Sequence, residues 1–263
     1  MLPFKVYHAP HGQGPNPWKV IVLLEELGLP YNIVWIPYGE IKSEPYTSLN
    51  PNGRVPVIID PNKNVTLWES GAIINYLIAT YDTELKLTYG DDRFEEKWLL
   101  QSWLMFQMSG QGPMFGQKMW FTHVHVEQNL KTAIDRYGTE VKRIMGVVES
   151  SLRKQRQKLG AAADDGAVWL VGDKCTFADL AFVPWNTLLG TLFPGNGLDI
   201  EKEFPEYHRW NANLTKRPAT RKVLQFREEC IRTMKDTAAQ IVERQADGRQ
   251  VPNYERSVGV GDA

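Results

Sequence analysis

Cysteine is scarce in this sequence. Among 263 residues there are two, Cys175 and Cys230, and neither sits in a CxxC pair or a Cys/His cluster. That excludes a disulfide-built scaffold and fits a reducing compartment. An excess of one charge is also lacking, with 30 Lys plus Arg against 31 Asp plus Glu. So balanced a chain carries no electrostatic footprint for nucleic acid. No apolar run is long enough to cross a membrane. The best candidate, Trp98 to Gln117, is free of charge but interrupted by Gln101, Gln107, Gly110, Gln111, Gly112 and Pro113, so it reads as a buried, broken helix. No secretory h-region follows the N-terminus, where Met1 to Lys5 leads into a strand, and this points to the cytoplasm. Internal repeats and low-complexity tracts are absent. The length favours one large or two modest domains.

What is present divides near residue 82. Phe4 to Tyr7 reads as a strand, and Pro17 to Leu27 as an amphipathic helix with Val20, Leu23, Leu24 and Leu27 at i, i+3, i+4 and i+7. Gly28 fits its C-cap. Tyr31 to Ile36 is a second strand candidate, rich in β-branched and aromatic residues. Val55 to Ile59 and Asn64 to Trp68 flank a turn-rich link and predict a hairpin, followed by a helix with Ile73, Tyr76, Leu77 and Tyr81 on its apolar face. The order β-α-β then β-β-α is that of the thioredoxin fold. Residues 83–92 lack sustained periodicity and read as a linker. Residues 93–240 carry helical patterns only, over Phe94 to Met108, Val126 to Leu159, Thr176 to Leu189 and Pro205 to Asn213. Residues 241–263 form a polar tail expected to fray.

Four stretches can carry chemistry. In Asn50-Pro-Asn-Gly-Arg-Val-Pro56 a proline opens a strand, which by itself marks an edge. Held cis, Pro56 would turn the Val55 backbone outward to pair with an extended peptide. In Trp68-Glu-Ser-Gly71, Ser70 is placed as an N-cap of the helix that follows. Free N–H groups at that helix start suit a carboxylate, and Glu69 beside them suits an ammonium. In Gly172-Asp-Lys-Cys-Thr-Phe-Ala-Asp179, Thr176 and Asp179 form a capping box with a structural role. In Gly12-Gln-Gly-Pro-Asn-Pro-Trp18, Asn16 precedes a proline at a helix start, where it can cap the helix or face a ligand.

Taken together, NPNGRVP, WESG and GxxxTxAD, in that order and spacing from about Phe4 to Arg221, resemble a cytosolic glutathione transferase. Gly110-Gln-Gly-Pro-Met-Phe-Gly-Gln117 and Ala133-Ile-Asp-Arg-Tyr137 are similar to the fungal nitrogen-regulator-like class and the bacterial Nu class. The resemblance implies an α/β thioredoxin-like N-terminal domain plus an all-α C-terminal domain, assembled as a homodimer. It implies glutathione as co-substrate, no metal, and an apolar electrophile or a disulfide as the second substrate. Val55, before a cis Pro56, would pair with the cysteinyl backbone of glutathione. Glu69 and Ser70 would hold its γ-glutamyl ammonium and carboxylate. Lys42, with Arg54 as the weaker candidate, would meet the glycyl carboxylate. Arg136 would approach from its helix, and Met114, Phe115, Met119 and Trp120 would line the co-substrate pocket.

Thiolate activation falls to Asn16 in this resemblance. A side-chain N–H aimed at sulfur favours the charged form, and asparagine has no proton to accept. Tyr7, His8 and His11 are rivals by position. His123 and His125, two apart, would point to different helix faces and make a poor metal pair. Three functions stay open: conjugation of electrophiles in detoxification; disulfide reductase or peroxidase activity driven by glutathione without a protein cysteine; and a low-activity homologue acting through a protein partner.

Overall fold

A computed structural model describes residues 1–126, 130–160, 166–195 and 197–246. It begins with a four-stranded sheet in the order β2-β1-β3-β4. Strand β1 (Phe4–His8) pairs in parallel with β2 (Tyr31–Trp35), across the helix α1 (Asn16–Glu26) that joins them. The short helix α2 (Tyr46–Leu49) leads into β3 (Val57–Asp60), which pairs antiparallel with β1 and with β4 (Val65–Trp68). Helix α3 (Ser70–Tyr81) packs back against α1. The strands start or stop within two residues of the expected limits.

Helix α1 differs from its expected amphipathic character, because Pro17 to Leu24 are all buried. The sheet takes one side and the helical domain the other, so an unbroken Val20-Ile-Val-Leu-Leu24 is what this position needs. Its far end is tied across the domains. Arg217 grips Glu26 with two bonds of 2.7 Å, and Lys222 reaches Glu25 at 2.9 Å.

The segment read as a linker is a packed seam. Leu87 and Tyr89 are buried, and Leu87 accepts the Phe177 N–H at 2.9 Å. The Tyr89 hydroxyl donates to Asp173 Oδ1 and accepts the Asp173 N–H, both at 3.0 Å. Gly172, with φ +65°, owes its identity to this contact: a Cβ there would stand 2.2 Å from the Tyr89 hydroxyl.

The second domain holds α4 (Phe94–Phe106), α5 (Gly112–Met119) and the long α6 (Lys131–Leu159). The Gly-Pro stretch does not break the helix. A π-type turn at Gln107–Gln111 joins α4 to α5, and Pro113, which has no N–H to give to the ladder, follows directly after it. The region expected as one helix from Thr176 to Leu189 is three short ones, α7 (Phe177–Leu180), α8 (Val183–Asn186) and α9 (Leu189–Leu192). Pro184 removes a backbone donor there and starts a new turn. Then come α10 (Ile200–Glu203), α11 (Pro205–Lys216) and α12 (Pro218–Ala246), which carries helix past the expected boundary at 240. The tail from 247 onward lies outside the described residues, as does the side chain of His11. Among the described residues no helix is long and apolar enough to cross a membrane.

Candidate active site

The N-terminal ends of α1 and α3, the loop before β3, the α4–α5 helix and α8 converge on one cavity of about 600 Å³, within the usual range for small-molecule sites. Its sheet-side wall is Asn50, Asn52, Arg54, Val55 and Pro56, then Glu69 and Ser70. Asn50 builds the loop: its amide donates to the Arg54 carbonyl at 2.7 Å and its oxygen accepts the Asn52 N–H at 2.9 Å. The Val55–Pro56 peptide is cis.

Asn16 does not cap its helix. It is the first helical residue, Pro15 holds the N-cap position, and no side-chain capping bond forms. The Asn16 oxygen accepts instead from the Trp185 indole N–H at 3.0 Å. Indole nitrogen can only donate, so the amide is oriented without ambiguity. Its NH₂ group is left for the cavity that both residues line.

Ser70 departs from its expected role in a similar way. It is the first residue of α3, and Glu69 stands at the N-cap with φ 69° and ψ 113°. Glutamate at positive φ costs on the order of 1–3 kcal/mol, strain that tends to gather at ligand sites. With no cap bond to make, the Ser70 hydroxyl lies 3.4 Å from both Lys19 Nζ and Met108 Sδ. Gly71 is small for a reason, since a Cβ there would meet Met108 Cγ at 3.0 Å.

Lys19 is the residue the sequence pattern did not single out. It lines the cavity yet is only 2% exposed. Its ammonium donates to Gln107 Oε1 at 2.6 Å. Burial pushes its pKa down to about 7, against the pull of the Glu69 charge. From Gln107 a buried polar chain crosses the helical domain. Gln107 donates to Gln111 at 3.0 Å, Gln111 to Asn186 at 2.7 Å, and Asn186 to Asn211 at 2.8 Å, while the Tyr207 hydroxyl donates to Asn186 at 2.6 Å. The available signal is Gln107 and Gln111 at i and i+4 within the charge-free stretch from Trp98 to Gln117.

Several expected residues stand elsewhere. Lys42 turns its ammonium to the Asn52 carbonyl at 3.1 Å and does not line the cavity, whereas Arg54 does. Arg136 sits on the solvent side of α6, paired with Glu140 at 2.6 Å and 65% exposed. The opposite side of that helix, with Gly138, Val141 and Ile144, faces the core. Phe115 is fully buried beside Trp185, and Met114 and Met119 pack on the core. Of the four residues expected in the co-substrate pocket, Trp120 alone lines the cavity. The lining face of the helix is Met108, Gly112, Pro113, Gly116, Gln117 and Trp120. Residues three and four apart share one side of a helix. Met114, Phe115 and Met119 lie off that side and turn to the core, while Met108, Pro113 and Trp120 form the wall together with the two glycines and Gln117.

Neither strand-end rival reaches the cavity. His8 is wholly buried between Trp18 and Trp35, bonds the Ala9 carbonyl through Nδ1 at 2.9 Å, and has its pKa pushed down to about 3 by burial. Tyr7 packs on Tyr46. Cys175 is buried with its thiol pushed up in pKa, and neither it nor Cys230 lines the cavity. The His123 ring bonds the Thr191 carbonyl, and among the described residues no group of His, Cys, Asp and Glu could hold a metal.

A thioredoxin-like sheet whose α3 N-terminus faces a cavity closed by an all-helical domain defines a two-domain ligand-binding protein. Two family models match it: "Glutathione S-transferase, N-terminal domain" over residues 14–80, and "Glutathione S-transferase, C-terminal domain" over residues 112–218. The "Glutathione S-transferase-like protein gedE" of Aspergillus terreus is 45% identical over 226 residues, 85% of this chain and 95% of that protein. The solved glutathione transferase URE2P5 from Phanerochaete chrysosporium superposes with a TM-score of 0.78 at 42% identity, covering 89% of this chain and 98% of that one. Ure2p in complex with glutathione gives 0.77 at 40% identity, covering 84% and 94%. The chain belongs to the glutathione S-transferase family, and its relatives are Ure2-like fungal members.

Proposed function

We propose that the protein is a glutathione transferase that uses the Asn16 amide to stabilise the glutathione thiolate. The observation that carries this reading is the Trp185–Asn16 bond of 3.0 Å, which leaves the amide N–H groups for the cavity. Free thiols have a pKa near about 8.5, so most are protonated at neutral pH. One N–H aimed at sulfur and the positive end of α1 both favour the thiolate. Glu69 then receives the γ-glutamyl ammonium, and Ser70 with the α3 amides the γ-glutamyl carboxylate. Val55 pairs with the cysteinyl backbone, and Arg54, which lines the cavity, meets the glycyl carboxylate. The second substrate lies against Trp120 and Pro113.

That substrate is an apolar electrophile or a disulfide. With a disulfide, the thiolate attacks one sulfur, a mixed disulfide forms and a thiol leaves. A second glutathione then resolves the adduct to oxidised glutathione, so no protein cysteine is needed. A second copy of the chain has a place to pair on α4, where Phe94, Trp98, Leu99 and Met105 are exposed large apolar residues.

The test is conjugation of an aromatic halide and glutathione-dependent reduction of a mixed disulfide, in wild type and Asn16→Ala. The wild type is expected to catalyse at least one, and Asn16→Ala to lose about tenfold at pH 7, the scale of one hydrogen bond to a charged group. A wild type that binds glutathione and does neither reaction sinks the enzyme reading. Full rate in Asn16→Ala sinks the role of Asn16.

Lys19 gives a separate expectation. Its lowered pKa, about 7, leaves it mostly neutral at pH 8, and a carboxylate bound at Ser70 would raise that pKa again. Binding therefore takes up protons. Calorimetry with S-hexylglutathione, which has no ionisable thiol, in two buffers of different ionisation enthalpy should register uptake at pH 8. Lys19→Met should remove most of it. Equal uptake in both proteins would show that Lys19 does not sense the ligand.

A further inference from the structure

The amide that faces the cavity is aimed from the other domain. Asn16 and Trp185 are 169 positions apart, and their 3.0 Å bond crosses the domain boundary. The terminal torsion of asparagine is broad and roughly two-fold. Unrestrained, the group can turn its oxygen to the cavity as readily as its nitrogen, and an oxygen there would repel a thiolate. A partner that can only donate selects one of these two states, and the indole N–H is such a partner.

The indole is itself seated. Trp185 is 7% exposed and meets Phe115 edge-on at 6.4 Å. Gly112 and Gly116 are successive on the facing side of α5, and a Cβ on either would already touch the ring, at 3.6 and 3.5 Å. The ring thus rests in a shallow slot against α5 at these two glycines, at a distance where a Cβ would make ordinary van der Waals contact. The next residue, Asn186, is held by Gln111, Tyr207 and Asn211, so α8 is fixed directly beside the bond.

We propose that Trp185 is a positioning residue for thiolate activation, holding the Asn16 amide with its N–H groups toward the glutathione sulfur. This rests on the reading of Asn16 given above. It makes the helical domain a part of the thiol site and not only the wall for the second substrate.

Trp185→Phe keeps a ring in the slot and removes the donor. A second variant, Trp185→3-benzothienylalanine introduced at that single codon, keeps the bicycle and replaces N–H by sulfur, which guards against a packing defect. The readout is the pKa of bound glutathione, followed by thiolate absorbance across pH, with kcat and the glutathione KM. Both variants are expected to raise the thiol pKa and lower kcat at pH 7 by about three- to tenfold, up to the loss expected for Asn16→Ala. The rate should recover at high pH, with KM within about twofold, because the γ-glutamyl contacts are untouched. In the Asn16→Ala background, Trp185→Phe should cost nothing further.

An unshifted thiol pKa in both Trp185 variants, with Asn16→Ala still impaired, overturns the positioning role and leaves the Asn16 reading standing. An additive loss in the double variant also overturns it, since Trp185 would then act on its own. Full activity in Asn16→Ala removes the Asn16 reading, and the positioning role with it.

Discussion

Replacing Asp179 by alanine is expected to cost about 3–5 kcal/mol of stability, the scale of leaving three buried donors without their acceptor. Asp179 is fully buried. One oxygen accepts the Leu170 N–H at 2.9 Å and the Trp210 indole N–H at 2.8 Å. The other accepts the Thr176 N–H at 3.0 Å and the Thr176 hydroxyl at 2.8 Å. The hydroxyl can rotate to another acceptor, but two backbone amides and an indole cannot. Each buried donor left unpaired costs about 1–3 kcal/mol, partly relieved by relaxation. Loss of a helix cap alone would cost only about 1 kcal/mol. The excess comes from Leu170 and Trp210, which attach the start of α7 to the segment before it and to α11. Against a total stability of about 5–15 kcal/mol this is a large fraction. Urea unfolding checks it. A midpoint shifted by only the cap's share would mean that Leu170 and Trp210 find other partners.

The two oxygens of Asp179 mark where sequence is legible and where it stops. The Thr176 side of the network lies within three residues, so a local pattern carries it. Leu170 and Trp210 are reached only through tertiary packing, and no spacing announces them. The same division runs through the active site. The Asn50–Pro56 loop is built from its own side chains, and Glu69 and Ser70 sit together at a helix start. Both stretches are readable in place, and both line the cavity. Lys19 and Trp185 line it too, yet each is defined by what another domain brings to it. A lysine leading an apolar run reads as the solvent end of a helix until that helix proves to be covered on every side.

The misplaced residues follow from one physical cause. Met114, Phe115 and Met119 have the side chains that suit an apolar pocket, but they suit a core equally well, and burial in the core removes more of their surface from water. Periodicity finds the helix but cannot tell which side meets a neighbour when both sides carry apolar residues. Gly112 and Gly116, with no side chain to weigh, were invisible to such a reading although they seat Trp185. Arg136 was expected at the site on a resemblance of sequence, while the turn of α6 that carries it points to solvent.

Asn16→Asp is expected to be worse than Asn16→Ala, and the order of the two is the sharper test. Aspartate has the same shape, and one of its oxygens can accept the Trp185 N–H just as the amide oxygen does at 3.0 Å. Its second oxygen then replaces the NH₂ group facing the cavity. A carboxylate about 4 Å from a thiolate, at an effective dielectric of about 20, is repelled by about 4 kcal/mol. That raises the thiol pKa by about three units, since one unit corresponds to about 1.4 kcal/mol. The thiolate population at pH 7 falls by about 10³. The more basic thiolate is the better nucleophile, with a Brønsted slope of about 0.4–0.5, which returns between about fifteen- and thirtyfold. Adding the lost N–H donor, the net expectation is a rate about 300- to 600-fold below wild type at pH 7, climbing as the pH is raised. Alanine removes the donor without adding charge and loses only about tenfold. Should aspartate match or exceed wild type, with an acid limb near the carboxylate range, the group at position 16 works as a proton acceptor, and the thiolate-donor role is wrong. Should aspartate and alanine be equally impaired, the second oxygen does not face the sulfur, and the orientation imposed by Trp185 does not govern the chemistry.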